Sequence, residues 1–146
     1  MQVANALNLE VFNEYYSIDA VLYEKESDVV NNKAKNETWT NTRGLWLKHI
    51  QIAFEHENEL YGPTGGYQEI CHLLTINSDL KVLVGYAGKD FCDKVAEDFQ
   101  NIMSNINDTN QSILLILGYL DGDNIQWIGY NLTENSFSRV EKSLFA

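Results

Sequence analysis

Thirteen residues, Trp46-Leu-Lys-His-Ile-Gln-Ile-Ala-Phe-Glu-His-Glu-Asn58, constrain the fold of this chain more than any other stretch. As a strand they divide cleanly, because successive side chains point to opposite faces. Trp46, Lys48, Ile50, Ile52, Phe54 and His56 fall on one face, and Leu47, His49, Gln51, Ala53, Glu55 and Glu57 on the other. The first face is large and mostly apolar, which predicts the core side. The second turns acidic at its end, where Glu55 and Glu57 stand side by side. Carboxylates that close repel unless solvent or a cation screens them, so the choice lies between a wet acidic rim and a metal site.

A second segment bears on that choice. Ile18-Asp-Ala-Val-Leu-Tyr23 also alternates as a strand. If the two strands are antiparallel neighbours, Asp19 at the start of one lies beside Glu55 and Glu57 at the end of the other. Three carboxylates then converge, and such a cluster suits Mg²⁺ or Mn²⁺. A few carboxylates holding Mg²⁺ against a substrate phosphate are common equipment for cutting phosphodiesters. Spacing alone leaves the solvated rim standing as the other reading.

The rest of the chain supplies the frame. Residues 3–16 are predicted helical, with Leu7, Val11 and Tyr15 on one stripe. Residues 25–44 are polar and aperiodic, which reads as a long loop. Gly62-Pro-Thr-Gly-Gly66 signals a turn, and Tyr67 to Ile76 follows as a helix on Tyr67, Ile70, Cys71 and Leu74. Leu80-Lys-Val-Leu-Val-Gly-Tyr86 is nearly all apolar, as in a strand buried on both faces. Residues 89–107 form an amphipathic helix whose stripe is Phe91, Val95, Phe99, Ile102 and Ile106. Ser112–Tyr119 and Ile125–Leu132 pair as a hairpin through Asp121-Gly-Asp, and the tail from Thr133 suggests a short helix. Helices and strands in this order predict an α/β protein, one mixed sheet flanked by helices.

With 146 residues, 45% hydrophobic and 12% aromatic, residues 1–146 make a single domain with a real core. No apolar run reaches membrane-spanning length, and the N-terminus lacks a signal peptide's basic and apolar regions, so a cytoplasmic protein is expected. Cys71 and Cys92 are too few for a disulfide framework. The net charge of −11 argues against non-specific polyanion binding. Yet Lys25, Lys33, Lys35, Arg43 and Lys48, half of the ten basic residues, lie within one short stretch. A local basic patch is compatible with that spacing.

Ser-Ile-Asp19-Ala-Val-Leu-Tyr, then Ile-Ala-Phe-Glu55-His-Glu57-Asn, then Asp79-Leu-Lys-Val-Leu-Val-Gly-Tyr resembles the restriction-endonuclease-like, PD-(D/E)XK, superfamily. The likeness is to its small members with a Glu-x-Glu-Asn strand followed by a helix and a Leu-Lys-Val-Leu strand, and it spans about residues 10–132. It implies a restriction-endonuclease-like domain, a metal-dependent nuclease that hydrolyses DNA, often as a homodimer. Asp19 falls on the motif's first Asp, Glu55 on its Asp/Glu, and Glu57 where Lys is usual. Some active members have Glu there, which leaves open which group activates the water. In such a site Asp19, Glu55 and Glu57 are both the catalytic set and the metal ligands.

Around this set, Glu14 and Gln68 are accessory candidates. Glu14 lies five positions before Asp19, where members of the superfamily sometimes place a helical acid. Gln68 and Glu69 open the helix after the site strand, and an acid there also suits the helix dipole. Lys35, Arg43 and Lys48 are the expected phosphate contacts, with Trp39 and Trp46 nearby for stacking. His49 stands about 20 Å from Glu55 along the strand, too far to share its metal, and His56 points to the opposite face and packs there. His72 beside Cys71 does not make a nucleophilic pair, since adjacent side chains diverge. The alternative function is a non-catalytic acidic binding protein on the same scaffold, an immunity protein, inhibitor or regulatory subunit that engages a basic protein.

Overall fold

A computed structural model describes residues 2–15, 17–24, 49–60, 65–106 and 111–140. Its elements are α1 (Gln2–Leu7), β1 (Glu10–Tyr15), β2 (Ile18–Tyr23), β3 (Ile50–Glu57), α2 (Gly65–Thr75) and β4 (Ser78–Tyr86). A 3-10 turn (Lys89–Phe91) then leads into α3 (Cys92–Asn105), β5 (Ser112–Asp121), β6 (Asn124–Thr133) and β7 (Phe137–Val140). The seven strands form one mixed sheet in the order β1-β2-β3-β4-β5-β6-β7. The α/β class and the mixed sheet agree with the sequence. β1–β2–β3 is an antiparallel meander, β3, β4 and β5 run parallel, and β5–β6–β7 is antiparallel again.

Two parallel crossovers stepping the same way across a sheet, both right-handed, put their helices on the same face. Accordingly α2 packs on β3 and β4, α3 on β6 and β7, and the two helices touch. Beneath them every second residue of each central strand is sealed: Ala53, Leu83, Leu115, Leu117, Tyr130 and Leu132 are fully buried. One cross-strand row runs Glu55, Leu83, Leu115, Tyr130, Arg139. At its far end Tyr130 donates to Asp93 of α3 at 2.8 Å, and Arg139 clasps the same carboxylate through two bonds.

Several expectations change. Residues 10–15 are strand rather than helix, because Asn8 ends α1 in the left-handed conformation (φ 55°). The Leu9 N–H returns to the Ala4 carbonyl and that of Asn8 to Asn5, a Schellman-type stop that asparagine tolerates. Glu14 is therefore an exposed strand residue, not a helical one. In the tail from Thr133, where a short helix is expected, residues 137–140 form strand β7, and residues 141–146 lie outside the described residues. The helical stripes also shorten: Tyr67 is 59% exposed and Phe91 61%, since each precedes the turn that meets the sheet.

The largest correction concerns the faces of β3. Ala53 and Glu55 point toward the helices, while Ile52 and Phe54 lie half-buried on the other side and His56 is exposed. That second face is only partly covered: Val82 is buried on it, whereas Leu80 and Tyr86 are exposed. There His56, Tyr86 and Trp127 line up across β3, β4 and β6 with ring centres 5.7 Å apart in each contact, His56 T-shaped and Trp127 tilted against the Tyr86 ring. Gly118 of β5 permits the row, because a side chain there would meet both Tyr86 and Trp127 within 3 Å. β4 is buried on both faces at its centre, where Lys81, Val82 and Leu83 are all buried, and opens at Leu80 and Tyr86, each 38% exposed.

Candidate metal centre

The site begins where the β2–β3 ladder stops. The last paired residues are Ala20 and Phe54, and beyond them side chains take over from backbone partners. The Asp19 N–H donates to Glu55 Oε2 at 3.1 Å, and the His56 N–H donates to Asp19 Oδ2 at 2.8 Å. The antiparallel pairing sets Asp19 beside Glu55 through these two backbone-to-carboxylate bonds, while the Asp19 carboxylate stands outside the group of metal-capable side chains, Glu55, Glu69 and His72. Their environments differ: Asp19 is exposed, whereas Glu55 is 2% exposed beneath α2.

Burying a carboxylate is expensive unless its charge is matched. Among the described residues only Oε2 of Glu55 has a hydrogen-bond partner, and Oε1 is buried without one. Burial pushes the Glu55 carboxyl up to about 8; the Asp19 N–H pulls the other way, and the neighbouring Glu69 and Asp19 carboxylates add to the rise.

Facing Oε1 is the inner side of α2. Ile70, Leu73 and Leu74 anchor this helix in the core, which fixes the direction of Glu69 and His72, three residues apart and so on one helical face. His72 Nδ1 lies 3.4 Å from Glu69 Oε2 and 3.8 Å from Glu55 Oε1. This nitrogen too is buried without a hydrogen-bond partner. One ligand atom from each of Glu55, Glu69 and His72 lies within 4.8 Å of the others, a group that could hold a metal ion. Glu69 and His72 keep 18% and 29% exposure, which leaves the cluster open on one side.

The remaining sequence candidates occupy other positions. Glu57 shares the Glu55 face but stands outside this group, and its Oε1 accepts the Glu59 N–H at 2.7 Å. Gln68 is exposed on α2 and Glu14 on β1. His49 bonds Asp79 at 2.7 Å near the start of β3. His56, expected to pack, is exposed against the Tyr86 ring. Lys35, Arg43 and Lys48, with Trp39 and Trp46, lie outside the described residues.

The buried lysine among the described residues is Lys81, on the helix side of β4. Its Nζ reaches back to the Ser78 carbonyl and hydroxyl, at 3.4 and 3.3 Å. Ser78 pairs with Ile50, far along β3 from Glu55, so this ammonium faces away from the cluster. Burial lowers its pKa, opposed by Asp79.

Sequence reasoning passed over Glu69 and His72, reading the first as a dipole partner and dismissing the second with Cys71. The signal was their spacing. Glu-x-x-His on the helix that directly follows a Glu-x-Glu strand presents an oxygen and an imidazole to one point. Compared with protein-family models, curated proteins and solved structures, the chain matches none. No helix of the described residues is long and apolar enough to cross a membrane.

Proposed function

We propose that this chain is a metal-dependent nuclease-like domain of restriction-endonuclease type that hydrolyses phosphodiester bonds in DNA. One observation carries the reading: a buried glutamate, Glu55, bonded to Asp19 where the ladder of two antiparallel strands ends, with one oxygen lacking a hydrogen-bond partner among the described residues. The order of β3, α2 and β4 supports it, since Glu55-His-Glu57-Asn58, a helix and Leu80-Lys-Val-Leu83 follow one another as in the family the sequence resembles.

Asp19 and Glu55 would hold a divalent cation such as Mg²⁺ or Mn²⁺, with Glu57 as a third ligand, although the ligand atoms that already lie together are those of Glu55, Glu69 and His72. When bound, it would polarise a phosphoryl oxygen and ease deprotonation of the attacking water. The chain's own part is positional. The Asp19 N–H fixes one Glu55 oxygen, and the His56 N–H fixes Asp19, so both carboxylates are oriented before substrate arrives. Glu57, half-buried where the resembled family usually has lysine, would orient the water rather than supply positive charge.

A metal titration with supercoiled plasmid and single-stranded DNA tests the reading. Cleavage by the wild type should fall at least a hundredfold in both Asp19→Ala and Glu55→Gln. Cleavage that survives both substitutions excludes this centre. A second reading rests on the net charge of −11, which suits steering toward a basic protein. It predicts no cleavage with any divalent metal and retention of a strongly basic partner in a pull-down.

A further inference from the structure

We infer that Glu55, Glu69 and His72 form a binding site for a first-row transition-metal dication, selective for Zn²⁺ or Mn²⁺ over Mg²⁺. The site shares Glu55 with the proposed nuclease centre, yet it stands whether or not the protein cleaves DNA.

Geometry is the first argument. Two ligands each about 2.1 Å from one ion are separated by about 3.0 Å at a right angle and about 3.4 Å at the tetrahedral angle. The His72 Nδ1–Glu69 Oε2 separation is 3.4 Å and the His72 Nδ1–Glu55 Oε1 separation 3.8 Å. With all three ligand atoms within 4.8 Å of one another, the group encloses a point that a small dication reaches once the side chains draw in. The second argument is the pair of orphaned atoms. Glu55 is 98% buried with Oε1 unpartnered, and Nδ1 of His72 is unpartnered beside it. Buried polar atoms find partners in native proteins, and one cation satisfies both.

Donor chemistry sets the class of ion. Two carboxylates balance a dication's charge, and the imidazole nitrogen favours Zn²⁺ and its neighbours over Mg²⁺, which prefers oxygen and keeps its water. The Asp19 N–H holds Glu55 Oε2 and turns Oε1 inward, the support a metal ligand needs from its surroundings. Exposure of Glu69 and His72 gives the ion its way in and leaves coordination positions for water or substrate.

The experiment is calorimetry on tag-free protein in a Cys71→Ser background, so that the neighbouring thiol does not contribute. Zn²⁺, Mn²⁺ and Mg²⁺ are titrated into the parent and into His72→Ala, His72→Gln and Glu69→Gln, with circular dichroism confirming each fold. One Zn²⁺ or Mn²⁺ per chain is expected, at least tenfold tighter than Mg²⁺, and weakened at least tenfold by each substitution. Absence of binding, or binding indifferent to His72 and Glu69 in folded variants, overturns the site. Plasmid cleavage measured on the same samples separates the two readings. His72-dependent binding without cleavage keeps the metal site and removes the nuclease. Mg²⁺-driven cleavage undiminished in His72→Ala, with no binding that depends on His72, does the reverse.

Discussion

Replacing Glu55 by glutamine should flatten the dependence of stability on pH in metal-free protein. The folded state holds the Glu55 proton up to about pH 8, whereas the unfolded chain releases it near 4.5. Between those values the native state carries one proton more than the unfolded state, so stability falls as pH rises, by about 1.4 kcal/mol per unit. The stabilisation is complete below about 4.5 and lost above about 8. Across the whole interval the ceiling is on the order of 5 kcal/mol, and from pH 5.5 to 8.5 about 3 kcal/mol. Glutamine keeps an oxygen for the Asp19 N–H and does not titrate. Urea unfolding in chelator at pH 5.5, 7 and 8.5 reads the difference: the wild-type midpoint should drop by about 1–2 M more than that of Glu55→Gln. The general effect of the net charge is nearly common to both proteins. Parallel pH profiles would show that Glu55 ionises freely when folded, and the argument from its burial would fail.

A cation should take over from that proton, so at pH 8.5 Zn²⁺ at a hundred times its Kd should raise wild-type stability by about 2.7 kcal/mol and leave His72→Ala nearly unmoved, read by thermal unfolding. Gly118→Ala forces a methyl between Tyr86 and Trp127 and should cost about 1–3 kcal/mol, with a change in tryptophan emission. Tyr130→Phe strips a hydrogen bond from Asp93, whose pKa the Arg139 and Tyr130 bonds hold down; a loss of about 1–3 kcal/mol in chemical denaturation is expected. Lys81→Met removes a charge buried at 4% exposure whose hydrogen bonds among the described residues go to Ser78, and should leave stability unchanged or raise it by about 1 kcal/mol in the same assay.

The meeting of Asp19 and Glu55 was legible because it needs only alternation and antiparallel pairing, both of which hold. Which face of β3 the helices cover was not. The bulky face of Ile52 and Phe54 resembles a core side, yet the small Ala53 lets α2 approach closely, and Glu55 is buried as a result. Alternation defines two faces, and only the crossovers decide which is covered. Glu69 and His72 were visible as a spacing, but their target became apparent only once α2 was seated against β3. The β1 error was local and avoidable. Asparagine at position 8 is a good left-handed stop, and the apolar residues after it fit a strand as well as a helix.

Strand order that repeats chain order also bears on how this molecule folds. Each strand pairs with its predecessor, so no strand has to be inserted between two others already in place. Loop closure is then paid in successive steps rather than in one long-range event. Asp19, Glu55, Glu69 and His72 all come from β2, β3 and α2, which follow one another among the described elements. A growing sheet can complete the carboxylate cluster while β6 and β7 are still unpaired, and an ion captured at that stage would brace the half-formed sheet.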